Sequence, residues 1–236
     1  MAFSAGSGSA VYVNGYDLSA YFSKATADGV SGVYDTTTFG KTAHVYIGGL
    51  KDGTLSAEGF FDGSASAVDA VLAAALGTSV ATIWTIIVPN DAIGNRGRGF
   101  GAANNKYSID APVDGVVSVS VGAQSNSGFV PVVSLHPLAS NGAGTTNGTD
   151  VDNAVLSSNG GTGYLHVTVE AASTATITIQ HSTDGSAWVD LITFVAVTSA
   201  PNAQRIEVTG TVNRHLRSVV VATGGAITSH VSFARK

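Results

Sequence analysis

Residues 34–62 read YDTTTFGKTAHVYIGGLKDGTLSAEGFFD. The stretch opens on threonines flanked by aromatics (Tyr34, Asp35, Thr36, Thr37, Thr38, Phe39), breaks at Gly40, and passes through Tyr46 and Ile47 to Gly48 and Gly49. From residue 53 to 61 it alternates: Leu55, Ala57 and Gly59 fall on one side and Thr54, Ser56, Glu58 and Phe60 on the other, the period of a half-buried strand. The part before that strand, residues 34–53, is a connection of about twenty residues with few core positions. Compact domains rarely carry one unless it binds something or is disordered, and its β-branched and aromatic content argues against disorder. It reads as an arm that becomes ordered against a neighbouring copy of the chain, with no evident partner within its own chain.

Downstream of the strand, Ser66-Ala67-Val68-Asp69 fits a capping box, and Val68, Val71, Leu72, Ala75 and Leu76 share one helical face that Gly77 is placed to end. This predicts a helix over about 66–76, the only convincing one. Upstream, Asn14-Gly15 lies between short apolar runs and predicts a tight hairpin. Residues 81–88 (ATIWTIIV) read as a buried strand stopped by Pro89, and residues 116–123 alternate valine with serine. Residues 138–163 shift to Ser, Asn, Gly, Thr and Asp, the composition of a boundary. Beyond them, strands are expected at 164–170, 176–181, 188–197, 204–210, 216–221 and 226–234, with turn signals between them. The expected organisation is a mainly β chain: a β-sandwich or barrel domain with one helix over 1–138, a linker over 139–163, and a smaller all-β sandwich over 164–236.

Composition narrows the function. Charged residues are only 11% of the 236, and a surface so poor in charge is expected to be covered in use. There is no cysteine, so neither disulfides nor thiolate metal sites arise. The formal charge of −5 argues against affinity for nucleic acid, which takes clustered Lys and Arg. The longest apolar runs fall well short of the roughly 18 residues of a membrane span. The N-terminus lacks a basic segment ahead of an apolar core, so a chain made in the cytoplasm is expected.

No motif carries chemistry. GNRGRGFG (residues 94–101) lacks the Lys-Ser/Thr ending and the following helix of a phosphate loop, and reads as a surface or interface loop. The six histidines have no close metal-site spacing; His166 and His181 lie on predicted strands and could face each other, without a third ligand. His181-Ser182-Thr183-Asp184-Gly185 has the composition of a turn rather than a catalytic set. Asp150 and Asp152 could attract a hard cation, but no calcium loop surrounds them. Arg205, Arg214 and Arg217 read as a solvated sheet face. No catalytic residue, metal or cofactor is expected.

Several segments, in this order and spacing, resemble the major tail, or tail tube, proteins of bacteriophages with long non-contractile tails. They are VYVNGYDLS (11–19), DTTTFG (35–40), YIGGLKDG (46–53), EGFFD (58–62), residues 112–121 and Leu135-His136-Pro137. GYLHVTV (163–169), IQHSTDGSAWVDL (179–191) and VTGTVNRHLR (208–217) look like the additional C-terminal β domain some of these proteins carry. The resemblance implies a virion protein, made in the bacterial host, whose rings, commonly of six subunits, stack into a hollow tube. Its partners would be itself, tape measure and tail-end proteins, and DNA passing without specific binding, with no membrane.

On that reading the arm (Tyr34, Asp35, Thr36, Thr37, Thr38, Phe39, Gly40, Tyr46, Ile47) joins subunits. Burial of its apolar side chains at about 25 cal/mol per Å² would stabilise the stack. Up to residue 138 there are ten acidic and six basic residues, a balance of −4, so acids lining the bore would repel DNA; Asp17, Asp28, Glu58, Asp110 and Asp114 are the candidates. The rival from another class is a carbohydrate- or cell-surface-binding sandwich with Trp188 and Tyr164 as a stacking platform.

Overall fold

The computed structural model describes residues 5–171 and 174–236. In chain order the strands are β1 (Ala10–Val13), β2 (Tyr16–Asp17), β3 (Phe22–Asp35) and β4 (Tyr46–Phe60). The helix α1 (Val68–Ala75) follows, then β5 (Thr82–Val88), β6 (Arg96–Asp110), β7 (Ser118–Ser125), β8 (Val130–Asn141), β9 (Gly144–Asn147) and β10 (Val151–Asp152). The last six are β11 (Gly161–Glu170), β12 (Thr174–Ser182), β13 (Val189–Thr193), β14 (Asn202–Val208), β15 (His215–Thr223) and β16 (Ile227–Arg235). The named strands pair antiparallel throughout, so the chain is mainly β with one α-helix among the described residues, as its alternation and turn signals predict.

Compact units do not follow chain order. One consists of Met1–Ala20, Thr82–Gly99 and Val130–Lys236, the other of Tyr21–Ala81 and Phe100–Phe129. The first unit is a sandwich. One sheet runs β14-β11-β16-β8 and on through the start of β6 to β5, β1 and β2; the other runs β10-β15-β12-β13, with β9 on β15. Leu135, Leu165, Val167, Val231 and Phe233 from the first sheet close against Ile177, Ile179, Ile192, Leu216 and Val220 from the second, each at most 3% exposed. The hairpin predicted at Asn14-Gly15 joins β1 to β2, with both residues at positive φ (49° and 86°), which Asn and Gly tolerate.

Two segments differ from their expected form. Residues 139–163, expected as a linker, carry the end of β8 and all of β9 and β10, which pair with β15. These strands are short and mostly exposed, so no apolar alternation marks them. Residues 96–101, expected as a loop, begin β6. Their glycines reflect close backbone approach: a Cβ on Gly97 would lie 1.7 Å from the Ile86 carbonyl oxygen, and one on Gly99 would meet Val132 and the Tyr164 ring.

The second unit is a four-stranded sheet in the order β3-β4-β7-β6 with α1. Leu55, Ala57, Val119, Val121 and Ala123 form its buried face, and α1 buries Val68, Val71, Leu72 and Ala75. The capping box is not formed. Ser66 stands at φ 68°, the helix starts after Ala67 without a side-chain cap, and the Asp69 carboxylate accepts from the Tyr107 hydroxyl at 2.7 Å, tying α1 to β6.

Candidate functional site

The expected arm is the outer half of a long β-hairpin. Residues 46–53, thought to lack a partner within the chain, pair with β3: Asp35 faces Tyr46, Tyr34 faces Ile47, Val33 faces Gly48 and Gly29 faces Gly53. The correction has a physical reason. Glycine-rich strands that are exposed on both faces show no alternation that fixes their register, so their pairing is invisible in sequence. Nearer the base, Leu55 and Ala57 turn inward while Thr54, Ser56, Glu58 and Phe60 face solvent, the alternation read from the sequence.

Beyond Gly53 the hairpin buries neither face. Every residue from 28 to 48 is exposed, among them Val33 (68%), Tyr34 (60%), Phe39 (108%), Tyr46 (57%) and Ile47 (54%). Directly opposed residues share a face. Tyr34 and Ile47 therefore lie on one side, and Val33 with Tyr46 on the other, so both surfaces of the ribbon are apolar in patches.

The tip is ordered by its own polar groups. Thr36 N–H donates to the Val45 carbonyl (2.7 Å), Val45 N–H donates to the Thr37 hydroxyl (2.9 Å), and the Asp35 carboxylate accepts from Thr37 N–H (2.8 Å) and lies 2.9 Å from the His44 ring. The Thr37 bonds, with a smaller one from His44, hold the Asp35 carboxyl below its ordinary range. Thr38 accepts from Lys41 N–H across a turn whose Gly40 sits at φ 85°.

The hairpin leaves the sheet at a pair of opposed glycines. Phe129 lies across both: a Cβ on Gly53 would come within 2.5 Å of it, and one on Gly29 within 2.9 Å. Its ring leans on buried Phe100 at 5.2 Å, and the Gln124 amide donates to the Asp52 carboxylate and to the Gly53 carbonyl (3.1 Å). An aromatic packed over strand glycines replaces the side chains the pair lacks. Sequence reasoning did not single out Phe129; the facing pair Gly29 and Gly53 becomes visible only with the register.

Among the candidate bore acids, Asp28, Glu58 and Asp110 lie on one face. Asp28 opposes Thr54, Lys24 opposes Glu58, Glu58 opposes Ser120, Ser120 opposes Ser108, and Asp110 opposes Ser118. Glu58 and Asp110 line a shallow depression with Ser23, Ser108, Ser118 and Ser120. Lys106 shares this face through Gly122 and Ser56, and the face also carries Asp52 and the exposed side chains of Val30 and Phe60, so its acids are offset by Lys24 and Lys106 on a surface of hydroxyls and amides with an apolar residue toward each end. Asp114 is exposed in the turn between β6 and β7. Asp17 belongs to the first unit, where it accepts from Ser19 N–H at 3.0 Å.

In the first unit the polar residues singled out earlier are engaged with one another. Arg214 and Asp152 form an ion pair that drives the carboxyl far below its ordinary range, and Asp150 lies 2.6 Å from the His215 ring. Asp184 accepts from Ser186 and Ala187 N–H in a turn, which lowers its pKa to about 2. His166 does not face His181. It opposes His230 across β11 and β16, is fully buried, and bonds Thr85 (2.9 Å) and Gly15 N–H (3.2 Å), while His181 accepts from Asn213 N–H. No group of three His, Cys, Asp or Glu among the described residues could hold a metal.

The stacking platform expected of the rival reading is not formed either. Tyr164 is fully buried with its hydroxyl donating to the Gly99 carbonyl (3.0 Å), and Trp188 is overlaid by the Arg217 guanidinium at 4.3 Å. No helix among the described residues is long and apolar enough to cross a membrane.

Neither a family model nor a curated protein matches the sequence. Solved structures to which the chain is similar include a chain from the virion of a native gene transfer agent particle, at 11% identity and TM-score 0.40 over 46% of this chain and 82% of that one. The SPP1 tail tube is similar at 15% identity and TM-score 0.43, over 55% of this chain and 78% of that one. The Dit protein of SPP1, described as a paradigm of the hub adsorption apparatus of phages infecting Gram-positive bacteria, is similar at 14% identity and TM-score 0.38, over 96% and 98% of the two chains. The functional reading rests on the chain's own residues.

Proposed function

We propose that the chain is a structural protein of a bacteriophage tail, without enzymatic activity, whose copies assemble into stacked rings that form the tube for DNA delivery. The observation that carries this reading is the β3–β4 hairpin, a ribbon tied at its tip, clamped at its base and apolar on both exposed faces. Exposed apolar side chains on an edge ribbon are an aggregation hazard unless an ordered partner covers them. A second copy of the same chain is such a partner, and the tail-tube resemblance of residues 35–53 points the same way. The arm residues then bury Phe39, Tyr46 and Ile47 against a neighbour.

The solvent face of the second unit's sheet would line the bore. With hydroxyls, amides, four acids (Asp28, Asp52, Glu58 and Asp110) and two lysines, it lacks the cation clusters that hold phosphates, which suits DNA that must pass without sticking. Six subunits per ring, a virion location, synthesis in the bacterial host, and contacts with tape measure and tail-end proteins are what the resemblance adds.

Negative-stain microscopy of the purified chain over a range of concentrations tests the reading. Rings and tubes are the expected outcome, and removal of residues 36–48 should leave no tubes of normal length. A monodisperse monomer at every concentration overturns it.

A further inference from the structure

The sheet that carries the hairpin has a second exposed apolar end. β4 runs from Tyr46 at the hairpin to Phe60, β7 starts at Ser118 opposite Phe60, and β6 finishes at Asp110 opposite Ser118. The β6–β7 turn, residues 111–117, therefore closes the end of the sheet remote from the hairpin tip, and Phe61 N–H donates to the Val117 carbonyl there at 3.0 Å. At that end Phe60 (51%), Ile109 (50%), Val113 (101%) and Val116 (69%) are exposed.

The two ends also differ in charge. At the tip the Asp35 carboxylate is engaged by Thr37 and His44, which leaves Lys41 as the one charged residue in 36–43, while residues 107–117 carry Asp110 and Asp114 and no Lys, Arg or His. We propose that this remote end is the receptor for the hairpin tip of the next copy. Phe39 packs on Val113 and Val116, and Lys41 meets Asp114 and Asp110. The inference rests on the assembly reading above and deepens it by naming the surface that receives the arm.

A tip that fits the far end of another copy makes a head-to-tail contact, which repeats in one direction instead of closing on itself. Opposite charge across the contact orients the approach and disfavours tip-to-tip pairing. The same end-to-end asymmetry thus supplies both cohesion and polarity to a stack.

Because the sequence holds no cysteine, crosslinking tests the contact without background. The full chain carrying both Thr42→Cys and Ala111→Cys, oxidised after assembly, should run as a ladder of covalent oligomers under denaturing conditions, whereas each single variant should not go beyond a dimer. Lys41→Glu and Asp114→Lys should each raise the concentration needed for tubes by about tenfold, and the double exchange should restore it. Wild-type tubes with no ladder from the double-cysteine chain, or with charge variants that assemble normally, overturn this inference and leave the assembly reading standing. No tubes from the wild type overturns both.

Discussion

The sandwich and the hairpin use the same residue types to opposite ends. In the first unit Ile177, Ile179, Phe194, Val220 and Phe233 are at most 1% exposed. In the hairpin of the second, Val30, Val33, Tyr34, Phe39 and Leu50 are between 60% and 108% exposed. Both regions are β-branched and aromatic, both are antiparallel, and local propensity does not tell them apart. The difference is whether a strand has a second layer across from it: β11 and β16 face β12 and β15, while the outer hairpin faces nothing within its own unit. Apolar residues in the first place hold the fold together, and in the second they are free to hold copies together.

The largest effect that can break this contrast comes from truncating one phenylalanine in each region. Phe194→Ala opens a cavity in a filled core and should lower the unfolding free energy by about 3–5 kcal/mol. Phe39→Ala removes a ring that touches water on all sides and should change it by less than about 0.5 kcal/mol, while abolishing tube formation. Urea denaturation of both variants, beside microscopy, checks the pair. A large loss of stability from Phe39→Ala would mean that the hairpin packs on its own chain.

Acid sharpens the contrast further, because buried histidines occur in the sandwich alone. His230 is fully buried, stacked at 4.5 Å on Tyr12, with His166 opposite, His136 nearby and the Asp91 carboxylate 4.0 Å away. Desolvation lowers its pKa from 6.5 to about 3, with Asp91 pulling weakly the other way, and desolvation also drives His166 well below 6.5. The unfolded chain then binds more protons than the folded one between those values. The stability these two groups allow is complete above pH 6.5 and falls as pH drops from there toward 3. At pH 5 the loss from His230 is about 2 kcal/mol, with His166 acting in the same direction, measured as a falling urea midpoint, and His230→Phe should flatten that slope. The hairpin's one histidine, His44, is exposed beside Asp35.

How much of this was legible in the chain follows the same division. Alternation in residues 53–61 and 116–123, the apolar helical face from Val68 to Ala75, and Asn14-Gly15 located their elements because one face is buried or a turn demands positive φ. The sandwich strands from 161 onward were readable for the same reason. Illegible were β9 and β10, which bury too little to leave a pattern, and the start of β6, whose glycines mimic a loop but serve close packing on Ile86. The arm was visible as an anomaly, whereas its self-pairing and its clamp were not. Its register depends on contacts made outside the stretch, and so does the partner of His166, which is set by the β11–β16 ladder.

The clamp offers the finest test of where stability ends and assembly begins. Gly53 lies under Phe129 at the place where β4 passes from a half-buried strand to a fully exposed ribbon. A methyl there would sit 2.5 Å from the Phe129 Cβ, an atom too near its backbone to swing away cheaply, so Gly53→Ala should displace the ring from Phe100 and from Gly29. Overpacking of this kind costs about 1–3 kcal/mol, less than a cavity in the sandwich. The loss should be local: amide exchange should quicken in residues 28–35 and 46–53 while the ladder between β11 and β16 keeps its protection. Tubes should shorten as well, because a ribbon no longer held at its root reaches its neighbour in many orientations and loses more entropy on docking. If exchange quickened equally in both units, the second unit's clamp would be part of one cooperative core, and the division between folding residues and assembly residues would have to be drawn further out along the hairpin.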